Sequence, residues 1–240
     1  MSARFLAAGD TAVVVEFGDR IDREVSDRVL SLSARVRAVS IPGVLETVPT
    51  YRSLLVHHDP LLTDSASVIA ALESLLHAQA AVGADSKLWT IPACYHETHA
   101  PDLAEVAQRT QLSVAEVVRQ HAETCYHVYM IGFAPGFAYL GDLPQALNLP
   151  RRIDPRVKVP AGSIAIAAAM TAIYPVESPG GWHLIGATPL RMFDLRSSHP
   201  ALLSAGDKVR FEPITPAKFD RIRAAVAADA YDVTYERFAA

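Results

Sequence analysis

Val128-Tyr129-Met130-Ile131 runs straight into Gly132-Phe133-Ala134-Pro135-Gly136-Phe137, an apolar run broken by a turn in which two glycines enclose a proline. Downstream, Pro150-Arg151-Arg152-Ile153-Asp154-Pro155-Arg156, then Val159-Pro160-Ala161-Gly162-Ser163, then Ser178-Pro179-Gly180-Gly181-Trp182-His183 mix the same residue types. Glycine supplies positive φ or room for close approach, and proline fixes φ and removes a donor. So dense an alternation, with aromatics between, predicts rigid loops joining short strands. Such loops on a stiff scaffold are where binding and catalysis concentrate.

Short apolar runs at residues 126–131, 163–168, 182–185 and 208–211 surround these loops, with proline or glycine at nearly every boundary. That pattern predicts a closed or partly closed β-barrel rather than a wound parallel sheet. Pro101-Asp102-Leu103-Ala104-Glu105 and Ser113-Val114-Ala115-Glu116 both read as capping boxes, so two short helices follow one another, the second ending near residue 123. Thr215-Pro216 starts a last helix with Phe219, Ile222 and Val226 as its apolar stripe.

The first ninety residues read differently. Ala12-Val13-Val14-Val15-Glu16-Phe17 is a strand, and Asp22 caps a helix carrying Val25, Val29, Leu32 and Val36 at helical spacing until Pro42-Gly43 stops it. Residues 44–48 and 53–57 form a hairpin around Pro49. Asp64-Ser65 opens a second helix with Val68, Leu72, Leu75 and Leu76 on one face, and residues 87–91 return as a strand. The order β-α-β-β-α-β is the ferredoxin-like split βαβ unit. Small polar residues at 83–86 mark a boundary. The expectation is therefore an α+β chain, with a ferredoxin-like α/β domain over 1–85 and a β-barrel domain over 86–240. His57 and His58 point to opposite faces of their strand and are expected to be solvated, as is His77. The first domain reads as a scaffold or interaction module.

The 240 residues are half hydrophobic and one-fifth charged, an ordinary globular balance. A net charge of −4 gives no basic face for nucleic acid. No apolar run reaches the roughly 20 residues that span a bilayer. Gly9-Asp10 follows Met1 too soon for a signal peptide, so a cytoplasmic location is expected. Cys94 and Cys125 have no C-x-x-C spacing and read as reduced thiols.

The turn from Gly132 to Gly136 lacks the Lys-Ser/Thr of a phosphate loop, and no G-x-G-x-x-G occurs. It reads either as part of a binding site or as a corner plugged by Phe133, Phe137 and Tyr139. Arg151, Arg152, Arg156 and Lys158 concentrate positive charge, suited to an anion, or else form a wet loop paired with Asp154 and Asp142. Gly180 and Gly181 expose consecutive backbone N–H groups, the raw material of an anion nest or oxyanion site, with Trp182 and Tyr174 as walls. His183 is the histidine best placed for proton transfer, and Ser178 could meet it in space. His96, His99, His121, His127 and His199 have no supporting constellation. No ligand spacing suggests a metal site.

These motifs, together with Pro150-Arg151-Arg152, Ile173-Tyr174-Pro175 and Phe193-Asp194, recur in order in one family. The chain resembles the 5-oxoprolinase B subunit, also called KipI-like or allophanate hydrolase subunit 1, over essentially its whole length. The resemblance implies a small α/β domain followed by a cyclophilin-like β-barrel. It implies an ATP-dependent hydrolase in which this chain, a KipA-like C subunit, plus a further A subunit, together open 5-oxo-L-proline to L-glutamate. In that scheme, phosphorylating the stable lactam oxygen makes the carbonyl electrophilic. ATP is shared with the KipA-like partner, and the chain alone is inactive. Candidate catalytic residues are His183 and Ser178. Candidate substrate- or nucleotide-binding residues are Gly132, Phe133, Pro135, Gly136, Phe137, Tyr139, Arg151, Arg156, Pro160, Gly162, Ser163, Thr171, Tyr174, Pro175, Pro179, Gly180, Gly181 and Trp182.

Three departures stand out. Ala168-Ala169-Met170-Thr171 replaces the family's Gly-Gly-Gln-Thr, Ala187 stands where Gly-Arg-Thr-Pro has its arginine, and Ala172 replaces a glycine. Two other functions compete. One is a carboxyltransferase-type subunit of a urea or amide carboxylase, with biotin carried by another protein. The other is a KipI-type inhibitor that binds a sensor histidine kinase.

Overall fold

The computed structural model describes residues 3–77 and 86–238. The boundary expected at residues 83–86 lies, but for Ser86, outside them. The chain divides into two compact units, the first up to Ser86 and the second spanning Lys87–Phe238.

The first unit holds β1 (Arg4–Ala7), β2 (Ala12–Glu16), α1 (Arg23–Val39), β3 (Val44–Pro49), β4 (Ser53–His58) and α2 (Ser65–His77). Asp22 caps α1 through Oδ1, accepting from the N–H groups of Glu24 (2.9 Å) and Val25 (3.3 Å). The helix ends where Ser40 turns left-handed. The sheet order is β1-β2-β4-β3, antiparallel at every pairing. This corrects one strand of the expectation. The strand after α2 leaves for the other unit, and its place beside β2 is filled by β1, too short and too close to the start to stand out as an apolar run. Val13, Val15, Leu54 and Val56 turn one sheet face onto Val29, Leu32, Val36, Val68 and Leu72 of the helices. Alternation along β4 also buries His58, where Nε2 meets the Ser65 hydroxyl at 3.2 Å. His58 is therefore a core residue rather than a solvated one. His77 is exposed.

The second unit runs β5 (Ser86–Ala93), α3 (Leu103–Thr110), α4 (Val114–Glu123), β6 (Tyr126–Ile131), β7 (Ala138–Gly141), a 3-10 turn (Gln145–Leu147), β8 (Arg156–Val159), β9 (Ser163–Ala167), β10 (Met170–Ile173), β11 (Ser178–Gly180), β12 (His183–Ala187), β13 (Lys208–Pro213), α5 (Pro216–Ala227) and β14 (Tyr235–Phe238). Eight strands make one sheet in the order β12-β9-β10-β7-β6-β13-β5-β14, and β8 pairs with β11 in a separate two-stranded ribbon. β13 and β5 run parallel. Of the two alternatives, a closed or a partly closed barrel, the closed one is not formed. The ladder is open, and just after β5 the isolated bridge between Cys94 and Ala187 joins the chain to β12, with hydrogen bonds of 2.8 and 3.0 Å.

Local chemistry explains the helix starts in this unit. Ser113 accepts from Glu116 N–H at 3.1 Å, and Thr215 from Lys218 N–H at 3.2 Å ahead of Pro216. Asp102 stands at the start of α3 but makes no cap; its carboxylate is taken elsewhere. Neither Cys94 nor Cys125 is in a disulfide. No described helix is long and apolar enough to cross a membrane.

Candidate functional site

The turn between β6 and β7 is built on three backbone bonds: Gly132 N–H to Phe137 O (3.0 Å), Ala134 N–H to Gly132 O (2.9 Å) and Phe137 N–H to Ala134 O (3.0 Å). Phe133 and Gly136 are both left-handed, at φ 69° and 78°. This reversal drives Phe137 inward and leaves Phe133 65% exposed. The Phe137 ring then meets Tyr139 (4.9 Å), Tyr174 (5.3 Å) and Trp182 (6.1 Å) edge to face. The Arg151 guanidinium caps Trp182 at 5.9 Å from the ring centre. Burial pushes the Tyr139 and Tyr174 phenols up, with Arg151 opposing, so both hydroxyls are neutral near pH 7. Gly180 is required here because a Cβ on it would collide with the Tyr174 hydroxyl.

The basic loop at residues 150–156 is organised by one carboxylate. Arg156 grips Asp102 in a two-point fork, Nη1 to Oδ2 at 2.8 Å and Nη2 to Oδ1 at 2.6 Å, and Arg152 adds Nη1 to Oδ1 at 3.2 Å. The Leu184 N–H donates to the same carboxylate at 2.7 Å, and the Asp102 N–H returns a bond to Leu184 O at 3.0 Å. Charge-assisted bonds of this kind are the strong ones. Arg156 and Arg152 thus pair with Asp102 and Glu105 rather than with Asp154 and Asp142. Arg151 faces the aromatic cluster.

His183 is fully buried, and its Nε2–H donates to the Pro150 carbonyl at 2.9 Å. Its Nδ1 and the Ser178 Oγ are each buried without a partner among the described residues. The expected Ser178–His183 couple is therefore not formed. Ser178 belongs to the ribbon, whereas His183 opens β12 in the large sheet.

Thr171 is also corrected as a ligand contact, being sealed in the core. Its hydroxyl donates to Ala165 O at 3.1 Å and so must accept from His121 Nε2–H at 2.9 Å. That leaves His121 Nδ1 bare to accept from the Tyr95 hydroxyl at 2.8 Å. The imidazole stacks on Phe211 at 4.6 Å, and burial pushes its pKa down to about 3. His121, expected to stand without a constellation, is the centre of one.

Four candidates meet elsewhere. Pro160, Gly162, Ser163 and Pro175 line a cavity of about 500 Å³ that is completed by the end of β12, residues 188–191 and α5. Gly162 sits at φ 83° with the Thr188 carbonyl where a Cβ would be. The two loops exchange Thr188 N–H to Gly162 O at 2.8 Å, and Gly162 N–H binds Tyr174 O at 2.7 Å. Tyr174 therefore links the cavity to the aromatic cluster through its backbone. Ala187, which departs from the family's arginine, lines this cavity too. Pro135 and Pro179 are exposed at the turn and on the ribbon. A larger cavity of about 1050 Å³ in the first unit holds none of the candidates.

Asp102, His121, Tyr95, Thr188 and Arg223 were not singled out as functional in the sequence. Asp102 carried a signal, but a misleading one, since its spacing to Glu105 is that of a helix cap.

Residues 3–203 match the family model described as carboxyltransferase domain, subdomain C and D. The chain is 38% identical to the 5-oxoprolinase B subunit of Bacillus subtilis over 218 residues, covering 86% of this chain and 91% of that one. It is 39% identical to the protein of the same name from Escherichia coli O157:H7 over 214 residues, 88% and 96% of the two chains. Among solved structures, the crystal structure of TTHA0988 superposes with a TM-score of 0.78 at 35% identity, covering 85% of this chain and 40% of that one. This chain therefore spans about two-fifths of that longer polypeptide.

Proposed function

The chain belongs to the 5-oxoprolinase B-subunit family, within the wider carboxyltransferase subdomain C and D group, and on that premise we propose that it serves as the B subunit of an ATP-dependent 5-oxoprolinase. It works with two partners, a KipA-like C subunit plus an A subunit, to open 5-oxo-L-proline to L-glutamate. The observation that carries this reading is identity of 38–39% over almost the full length of two relatives bearing that name.

Side chains on the second unit support a role inside a complex. Ile153 is 96% exposed and Val157 84%, both beside the ribbon, and Phe133 protrudes from the turn that holds the aromatic cluster. Ile153 and Val157 are near neighbours in the chain, and adjacent exposed apolar side chains are what a partner protein covers. TTHA0988 supports the same idea, because it carries this kind of module within a longer chain.

Two of the candidate anion contacts are already engaged: Arg156 gives two of its donors to Asp102, and Gly180 packs against the Tyr174 hydroxyl. Among the described residues no acidic side chain lines the 500 Å³ cavity to hold a magnesium ion. We therefore assign ATP binding to the KipA-like partner. This chain supplies a shaped, anion-tolerant cavity and a neutral aromatic rim of Tyr139 and Tyr174. The barrel-like, cyclophilin-type architecture belongs to the same reading, the eight-stranded sheet being drawn toward closure at Cys94 and Ala187.

The test is reconstitution. Co-expression with the two partner proteins should give ATP hydrolysis that depends on 5-oxo-L-proline and yields glutamate. Turnover that instead requires bicarbonate and a biotinylated protein would move the function to a carboxyltransferase. No turnover, with binding to a histidine-kinase dimerisation domain, would make the chain an inhibitor.

A further inference from the structure

The cavity between residues 160–163, residues 188–191 and α5 is built for one kind of guest. Arg191, Arg223 and His99 contribute to its wall, and no aspartate or glutamate does so among the described residues. Its floor is apolar, from Pro160, Pro175, Leu184 and Phe219. Its volume of about 500 Å³ is in the range of small-molecule sites, which are mostly apolar with a few convergent polar groups.

The polar groups here have capacity to spare. Ser163 is 5% exposed and lines the cavity. Thr188, also buried, accepts the Leu190 N–H on its hydroxyl at 3.3 Å and keeps its own proton to donate. Arg191 is held by Asp194 (2.7 Å) and Asp229 (3.1 Å). Arg223 pairs with Asp220 at 2.8 Å, and both side chains of that pair are largely in solvent. Exposed pairs of this kind contribute little and exchange readily. Phe219 lies between the His99 ring at 4.2 Å and the Arg223 guanidinium at 5.7 Å, so the cation already stands at the edge of the apolar floor.

We infer that this cavity binds a small carboxylate with a compact apolar ring, the carboxylate on Arg223 and the hydroxyls of Ser163 and Thr188, the ring over Phe219 and the prolines. Resting on the function proposed above, the guest is the cyclic amide substrate itself, held by the acid group that does not react. A guanidinium offers a carboxylate a planar fork, and two hydroxyl donors complete its oxygens. Such a grip leaves the lactam end free to face a partner protein.

The experiment is a binding titration of the full chain, alone and in complex with its partners, using 5-oxo-L-proline and pyrrolidin-2-one, which lacks the carboxylate. The acid should bind and shift the amide resonances of Gly162, Ser163 and Thr188, while pyrrolidin-2-one should not. Arg223→Ala should weaken binding about tenfold, and Ser163→Ala, which leaves the guanidinium and the Thr188 hydroxyl in place, about threefold. Both variants should keep wild-type unfolding curves. Equal binding of pyrrolidin-2-one, no effect of Arg223→Ala, shifts confined to Tyr139 and Trp182, or no binding in either state would overturn the assignment. The two readings fail separately. Lactam-dependent ATP hydrolysis without binding here removes only the cavity's role. Carboxylate binding here by a complex that never turns over 5-oxo-L-proline removes only the proposed function.

Discussion

Arg156 and Asp102 lie 54 positions apart in sequence and meet in a two-point ion pair, at 2.8 and 2.6 Å, beneath the loop that carries Arg151. The carboxylate is 4% exposed and the guanidinium 25%. This pair joins the start of α3 to the ribbon, and the Leu184 N–H ties both to β12. The aromatic cluster is therefore held in place from behind by a charge network.

Removing one partner of a buried pair leaves the other charge stranded, at a cost of about 3–5 kcal/mol. Asp102→Asn should therefore destabilise the second unit by about 3 kcal/mol in urea unfolding, less than the full range because the arginines reach water. Arg156→Lys, which keeps the charge and loses the fork, should cost about half as much. A loss below about 1 kcal/mol for Asp102→Asn would show that the network does not hold the loop.

His121 makes a pH prediction. Its folded pKa, near 3, lies below the ordinary histidine value of 6.5, so between those limits the unfolded chain binds a proton that the folded chain refuses. Stability due to this group is fully present above about pH 6.5 and falls as pH drops through the window, by about 1.4 kcal/mol per pH unit. His121→Gln should lower stability at pH 7 and flatten the slope between pH 6 and 4, read from urea midpoints. Equal slopes in the two proteins would contradict the buried neutral imidazole.

The exposed apolar side chains make a prediction about assembly. Ile153→Asp and Val157→Asp should leave the isolated chain's stability within about 0.5 kcal/mol of wild type, as exposed substitutions do. Together they should abolish co-purification with the KipA-like partner. Unchanged co-purification would move the interface to another face.

The sequence announced some of this and concealed the rest, for physical reasons. Helix starts at Asp22, Ser113 and Thr215 were legible because a cap is a contact between near neighbours. Phe137 with Tyr139, and Tyr174 with Trp182, were legible as two separate sets because glycine and proline punctuate their loops; that the two sets meet was not. β1 was hidden because four residues carry too little periodicity, and residues 87–91 were assigned to the wrong sheet because strand signals do not name their partners. Asp102 and His121 were missed for a related reason. Their partners lie 50 or more positions away, at Arg156 and Thr171, where only the fold brings them together. Gly180 was read as an open backbone for an anion, whereas Tyr174 occupies the space beside it.

Calorimetric titration of Mg-ATP into the isolated chain should show no saturable binding, because Arg156 is held by Asp102 and Gly180 packs against Tyr174. Saturable binding lost in Arg151→Ala would bring the nucleotide back to the aromatic cluster.

A chain that is a working part of a lactam-opening enzyme is tested by ATP hydrolysis of the complex reconstituted with both partner proteins, with and without 5-oxo-L-proline. Hydrolysis should occur only with the lactam present, with one glutamate formed per ATP, and none when this chain is left out. Hydrolysis indifferent to the lactam, or unchanged without this chain, would contradict that role.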